Sequence, residues 1–308
     1  MVSVGKRILG YFPVARTFAS ETTPYHCGRL WENRLGYQVL RMLTDHLARK
    51  FKRYSVSSDM RQNLEIMERD GILVLENFLS PSRFESVKQE AAQLAESINF
   101  RPLRNGEAGA LLHGQIARLE PKQAPLCTSI ALEEPLKQLV SAVIGHKISE
   151  QPQIFIDHFK RSEDTTAVNN DIESLLHADL HLPTVKAWLF LEPVTMANGP
   201  FYFAKGSHRL GMKRLAHEYR KSVLTIKLRQ GHGKIPEHLK GQRGTHERII
   251  LEESEYNTLN IQESPITGPA NTLVIANTMG FHRRGDFEPG NIRKWILFNY
   301  RRFSRGWS

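Results

Sequence analysis

A layer of helices supporting an antiparallel sheet system, mainly β with helices, is the architecture this sequence predicts, and three observations point to it. Apolar residues recur at helical spacing in segments up to about residue 144 and gather into short β-type runs from about residue 153. Strong turn signals, Asn198-Gly199 and Glu288-Pro289-Gly290, punctuate the second part. Helices therefore come first and strands later, which favours a sheet-based core with its helices gathered to one side over alternating βαβ units.

Residues 1–60 form a basic N-terminal extension with an irregular start and one amphipathic helix. Leu40, Leu43, Leu47, Phe51 and Tyr54 recur at helical spacing, and Arg41, Arg49, Lys50, Lys52 and Arg53 occupy the remaining surface. The apolar stripe either packs on the body of the protein or lies on an anionic membrane, so peripheral membrane contact through residues 37–54 stays open. The first twenty residues are basic, lack Asp and Glu, and have no continuous apolar core of signal-peptide type. They are weakly reminiscent of an organelle transit peptide.

From residue 61 the chain reads as one domain. It opens with a β run, Ile72 to Leu75, and a helix that has Ser80 as N-cap, Pro81 in its first turn and Phe84, Val87, Ala91, Leu94 and Ile98 on its buried face. A second helix is expected over about residues 133–144, with Pro135 near its start and Gly145 just past its end. The β-type runs are IFIDHF, VKAWLFLEPV, FYFAK, TLVIAN and KWILFNYR. Asn198-Gly199 predicts a hairpin between the second and third of them, and Glu288-Pro289-Gly290 a turn between two strand-like runs. Between these turns lie a helix-like RLAHEYRKS and a polar stretch, residues 229–248, that reads as a mobile insertion.

Composition narrows the function classes. At 308 residues, 40% hydrophobic and 24% charged, the chain has the make-up of a soluble globular protein with a sizeable core. Only Cys27 and Cys127 occur, without a CxxC, so neither a disulfide framework nor a thiolate zinc site is expected. A reducing, cytoplasmic setting follows, and no apolar run reaches the ~18 residues of a membrane span. The net charge of +10 favours an anionic partner, whether a phosphate-bearing small-molecule substrate, a membrane surface or nucleic acid. Zinc-finger spacing, RNP-type aromatics and basic heptads are all missing, so no nucleic acid is expected.

The chemistry concentrates at two places. In LLHADLH an extended backbone projects His177, Asp179 and His181 from one face, because strand side chains alternate with period two. One imidazole and the carboxylate, with a second imidazole from elsewhere, would make the facial triad that suits Fe(II) and leaves coordination positions open. By geometry alone His177 and His181 are equally able to join Asp179. The second place is FHRRGDFEPGNIRKWILFNYR. A hairpin centred near Phe287 and Glu288 would set His282 opposite Arg293, on one face of a sheet, so that a metal ligand and a carboxylate clamp share a cavity.

These residues resemble the phytanoyl-CoA dioxygenase family over roughly residues 66–302. The resemblance rests on His177-Ala178-Asp179-Leu180-His181, Trp188 on the following strand, Asn198-Gly199 with Gly206-Ser207-His208, and His282 with Arg293 eleven residues on. It implies a double-stranded β-helix, a cupin-like jelly roll with supporting N-terminal helices over residues 61–308. It also implies His177, Asp179 and His282 as Fe(II) ligands and Arg293 as the clamp for 2-oxoglutarate. Trp188 and Lys160 would lie near that co-substrate, and His208 would close a turn. Two departures matter: Lys205 stands where the family has Pro, and residues 209–270 form a long, mostly basic insertion, which bears on substrate identity.

The activity so implied is that of a dioxygenase using 2-oxoglutarate and O2 to hydroxylate a small, anionic substrate such as an acyl-CoA, an acidic or phosphorylated sugar, or a lipid head group. The alternatives are an inactive metal-binding jelly roll acting as sensor or structural module, and a hydrolytic zinc site. The latter leaves Arg293 without a role. Oligomeric state is not legible here.

Cysteine spacing generates the first prediction. Both Cys27 and Cys127 are expected as free thiols, and non-reducing mass spectrometry that found them bridged would contradict it together with the cytoplasmic setting.

Overall fold

In the computed structural model, which describes residues 29–51, 54–103, 111–148, 151–163, 172–179, 182–230 and 249–300, the β-type runs assemble into two antiparallel sheets. The larger contains, in spatial order, Ile72–Leu75 (β1), Leu273–Asn277 (β10), Val185–Phe190 (β6), Ile292–Tyr300 (β12), Gln153–Arg161 (β4), Leu111–Ala117 (β3) and Arg101–Pro102 (β2). The smaller contains Ile249–Ile250 (β8), His177–Ala178 (β5), His282–Arg284 (β11), Phe201–Ala204 (β7) and Glu263–Ile266 (β9). From β4 to β7, and again from β10 to β12, each successive strand changes sheet. This alternation is the jelly-roll, double-stranded β-helix arrangement.

Helices fall at Leu30–Arg34 (α1), Tyr37–Phe51 (α2), Arg61–Asp70 (α3), Pro81–Ala95 (α4), Pro125–Ile130 (α5), Glu134–Ile144 (α6), Met212–Arg229 (α7) and Glu253–Leu259 (α8). α4 begins at Pro81 and α6 ends at Gly145 in a left-handed cap, as the start and stop signals predict. Period-two alternation sorts the large sheet's two faces. Val185, Ala187 and Leu189 of β6 join Met67 of α3, Val87 and Ala91 of α4 and Leu139 and Val140 of α6 in one core. Trp188 and Phe190 turn the other way, toward Phe201 and Phe203 of β7, and fill the space between the sheets. Cys127 is a buried free thiol of the helix-side core, and burial pushes its pKa up; Cys27 lies outside the described residues. No helix among them is long and apolar enough to cross a membrane.

Four expectations change. β6 and β7 do not form a hairpin around Asn198-Gly199, because the turn carries the chain from the large sheet to the small one. The same holds at Glu288-Pro289-Gly290: β11 pairs with β5 and β7, whereas β12 pairs with β4 and β6, so His282 is not opposite Arg293. Both turns reverse the chain, but turn chemistry does not choose the partner strand. The span 209–270 is not all appended, since it supplies α7, β8, α8 and β9, and β9 pairs with β7 along its length; most of the polar stretch, 231–248, lies outside the described residues. Finally, α2 buries Gln38, Arg41 and Met42 and turns Leu40, Leu47 and Phe51 outward.

The Asn198-Gly199 turn is pinned by side-chain bonds, with Asn198 Oδ1 accepting from the Thr195 amide at 2.8 Å and Nδ2 donating to the Pro193 carbonyl at 2.9 Å. Gly199 has φ +67°, and a Cβ there would stand 2.1 Å from the Phe287 ring. Gly199→Ala should therefore cost about 2 kcal/mol, from left-handed backbone strain plus overpacking. Urea unfolding measures this, and an unchanged midpoint would contradict it.

Candidate metal centre and co-substrate clamp

The centre is built on one cross-strand pair. β5 and β11 run antiparallel with His177 directly opposite His282, and their rings lie 4.5 Å apart. Each imidazole is oriented by a carbonyl two residues earlier: Nδ1 of His177 meets Leu175 O at 2.7 Å, and Nδ1 of His282 meets Gly280 O at 2.9 Å. A carbonyl accepts only, so Nδ1 carries the proton and Nε2 is the basic nitrogen in both rings. Both Nε2 atoms face Asp179, at 3.8 Å from Oδ1 in each case.

Those separations exceed hydrogen-bond range. Donor atoms bound to one ion at about 2.1 Å on a shared face lie about 3 Å apart, so small side-chain rotations bring the three together on a metal. The ligating atoms of His177, Asp179 and His282 all lie within 4.8 Å of one another, the one such trio of His, Cys or acidic residues among the described residues. Burial pushes the His282 pKa down to about 3, with His177 adding to the effect and Asp179 opposing it. The imidazole is then neutral at physiological pH, the form that binds a metal. Two imidazoles and one carboxylate with open positions fit Fe(II).

Asp179 is held by a residue the sequence did not single out. Lys186 on β6 places Nζ 2.6 Å from Asp179 Oδ2, leaving Oδ1 toward the histidines. Lys186 shares the inner face of β6 with Trp188, a parity argument available from sequence, but a lysine at that position reads as an ordinary surface residue. Glu173 also approaches, its Oε2 3.6 Å from His177 Nε2. His181 lies outside the described residues.

The loop before His282 is fastened from behind. Ser207 Oγ accepts from the Phe281 amide at 2.8 Å and donates to Ala204 O at 2.6 Å. Arg214 of α7 donates to Ser207 O and to Met279 O, pairs with Glu218 at 2.7 Å and lies over the Phe281 ring. His208 does not bond within its own turn but ties that turn to the end of α3, with Nε2 3.2 Å from Glu68 O and its ring against Gly71.

Arg293 enters from the opposite sheet. It is 2% exposed and its guanidinium lies 3.7 Å from the centre of the Trp295 ring, flanked by Phe159 and Phe287 at 5.0 Å each. Among the described residues, its Nε and Nη1 and the nearby Trp295 Nε1 meet no acceptor. Burial first, then the Arg284 charge, push the Arg293 pKa well down, with Asp157 opposing. Since an arginine keeps its proton, this expresses a demand for a counter-anion, and donors without acceptors are what a carboxylate satisfies.

Rings connect the two places. His282 touches Phe201 at 5.3 Å, Phe201 touches Trp188 at 4.6 Å, and Trp188 lies 6.0 Å from Trp295. Trp188 thus lies between the metal trio and Arg293. Lys160 does not join them: it is exposed on β4 and projects from the strand face opposite to Asp157 and Phe159, which turn inward.

A sequence model described as phytanoyl-CoA dioxygenase matches residues 67–236, more than half of the chain. The chain belongs to that family. The match includes His177, Asp179 and Trp188, whereas His282 and Arg293 lie beyond it and are brought in by the fold. A search of the curated proteins finds no match. Among solved structures, the fold is similar to that of the epimerase SnoN in complex with Fe3+, alpha ketoglutarate and nogalamycin RO, at 12% identity over 79% of this chain and 83% of that one, TM-score 0.50. The carbocyclase SnoK of nogalamycin biosynthesis (14% identity, 78% and 83% covered, TM-score 0.47) and Fe-bound EctD from S. alaskensis (15% identity, 80% and 79% covered, TM-score 0.48) are further similar structures.

The Lys186 contact generates a prediction for this family member. Lys186→Met should weaken Fe(II) binding by about 10- to 100-fold, as loss of an outer partner to a metal ligand does, with Lys186→Arg intermediate. Anaerobic calorimetric titration measures it, and an unaltered affinity would remove Lys186 from the centre.

Proposed function

We propose that this protein is an Fe(II)- and 2-oxoglutarate-dependent dioxygenase that hydroxylates a small, anionic organic substrate. His177, Asp179 and His282 would hold the metal and Arg293 the far carboxylate of 2-oxoglutarate, with Trp188 walling the space between. Bound iron and 2-oxoglutarate would supply the oxidising power by coupling co-substrate decarboxylation to O2 activation. The chain's own part is to orient both imidazoles through Leu175 and Gly280, fix Asp179 through Lys186, and enclose the reacting centre between two apolar sheet faces.

The single observation that carries this reading is the buried Arg293, whose Nε and Nη1 meet no acceptor among the described residues and which faces the same interior as the metal trio. A metal-binding sensor or structural module has no need of such a group, and a hydrolytic zinc site leaves it equally idle. The anionic character of the substrate rests on the net charge of +10. Arg214, one of the basic residues behind that idea, is instead engaged in holding the loop before His282. A cytoplasmic setting belongs to the same proposal.

Arg293→Ala should weaken 2-oxoglutarate binding by about 30- to several-thousand-fold, the loss expected when a buried charge-assisted pair is broken, and leave iron binding nearly unchanged. Arg293→Lys should recover only part, because an ammonium cannot reproduce the planar fork. The measurement is an anaerobic titration of the Fe(II) protein with 2-oxoglutarate, followed by the metal-to-ligand charge-transfer band. No band in the wild type, or full affinity in Arg293→Ala, defeats the assignment in favour of the sensor. Metabolite profiling with labelled O2 then identifies the substrate.

A further inference from the structure

Helix α2 is amphipathic in the wrong sense for a helix that merely packs on its own domain. Its inward face carries Gln38, Arg41, Met42, Asp45 and Arg49. Arg41 donates to Gln38 at 2.6 Å, Asp45 pairs with Arg49 at 2.8 Å, and the Arg49 stem lies against Gly145 at the end of α6. Its outward face carries Leu40, Leu47 and Phe51, 44%, 52% and 87% exposed. Those positions are seven and four residues apart and line up along one side of the helix. Trp31 of α1 extends the patch, 42% exposed and edge-on to Tyr37 at 5.9 Å.

We propose that this face is a docking surface for an anionic lipid bilayer. Charge selects the occupant. Residues 29–54 contain seven Lys or Arg against Glu32 and Asp45; Arg41 and Arg49 face inward, whereas Arg29, Arg34 and Lys50 are exposed. Both acids are engaged within the protein, Glu32 by the Arg29 amide at 2.9 Å and Asp45 by Arg49. Exposed Arg34 and Lys50 flank the apolar line, and the sequence runs on into Lys52 and Arg53. A second copy would bring the same positive surplus to the contact, and so would residues 1–28, with Lys6, Arg7 and Arg16 against Glu21. Leu and Phe inserted below the head groups, Trp and Tyr at their level and cations among the phosphates are what an interfacial helix presents.

The test is sedimentation of the full chain with vesicles of phosphatidylcholine alone or phosphatidylcholine with phosphatidylserine. Wild type should pellet with the anionic vesicles, less so at high salt and little with the neutral ones. Leu47→Glu and Phe51→Glu should each lower partitioning by at least about tenfold, with thermal unfolding and 2-oxoglutarate affinity unchanged. Lys50→Glu should lower it on anionic vesicles alone. Absence of wild-type pelleting, or undiminished pelleting of Phe51→Glu, overturns the proposal. So does sedimentation equilibrium that finds a dimer dispersed by Phe51→Glu, which would make the face a contact between copies of this chain.

Discussion

The antiparallel pairing of β5 with β11, which sets His177 directly opposite His282, is the contact on which the rest of the centre depends. Strand side chains alternate, so a slip of one residue in this pairing would turn one imidazole out of the interior and leave no ligand set. Two strands of two and three residues cannot fix their own register. The surroundings do it. Asp179 donates its amide to Thr278 O, the Thr184 and Thr278 hydroxyls bond at 2.7 Å, Ser207 fixes Phe281, and Arg214 reaches across to Met279. A buried ion pair, Arg214 with Glu218, is thereby committed to geometry rather than to net stability, since such pairs seldom add much to the latter.

The interior separates its charges. At one end stand the His177 and His282 imidazoles and one carboxylate, Asp179, paired with Lys186. At the other end the Arg293 charge is opposed by that of Arg284 and favoured by Asp157, whose Oδ1 is already bonded by Gln115 at 2.6 Å and approached by His113 at 3.3 Å. Aromatic rings lie between the two ends, and both His282 and Arg293 are buried. Low polarity strengthens whatever pairing a ligand completes and raises the cost of leaving it incomplete.

How much of this was legible in the sequence depended on range. Local signals held: the Ser80-Pro81 start of α4, the Gly145 stop of α6, and the period-two faces that put Trp188 inward. Long-range pairing did not. Asn198-Gly199 and Glu288-Pro289-Gly290 read as hairpin turns, yet in a jelly roll successive strands lie in opposite sheets, and a turn signal is blind to that. His282 and Arg293 still meet the same interior, through facing sheets rather than a shared one. Lys160 went astray by parity, one residue from the inward Phe159. Lys186 passed unnoticed because its role comes only from the approach of Asp179, seven residues earlier on another sheet. On α2 the pattern identified the stripe correctly but not its side, because an apolar stripe turns inward only when the body offers it an apolar groove. Here the inward residues satisfy one another, Arg41 with Gln38 and Arg49 with Asp45, and the Arg49 stem packs on Gly145 at the end of α6.

The division of the site between two sheets has a mechanical consequence. His177 and His282 belong to the small sheet, with Asp179 just past β5, and Arg293 belongs to the large one; packed sheets lie about 10 Å apart. A co-substrate bridging a metal held there and the guanidinium would therefore measure the intersheet spacing. That spacing is set by the Phe201, Trp188 and Trp295 rings, wedged between the two ends at contact distances of 4.6 to 6.0 Å. Close-packed aromatic cores resist compression, so on the proposed assignment this spacing would favour a co-substrate of one length. Positioning of this kind would need no moving part at Arg293.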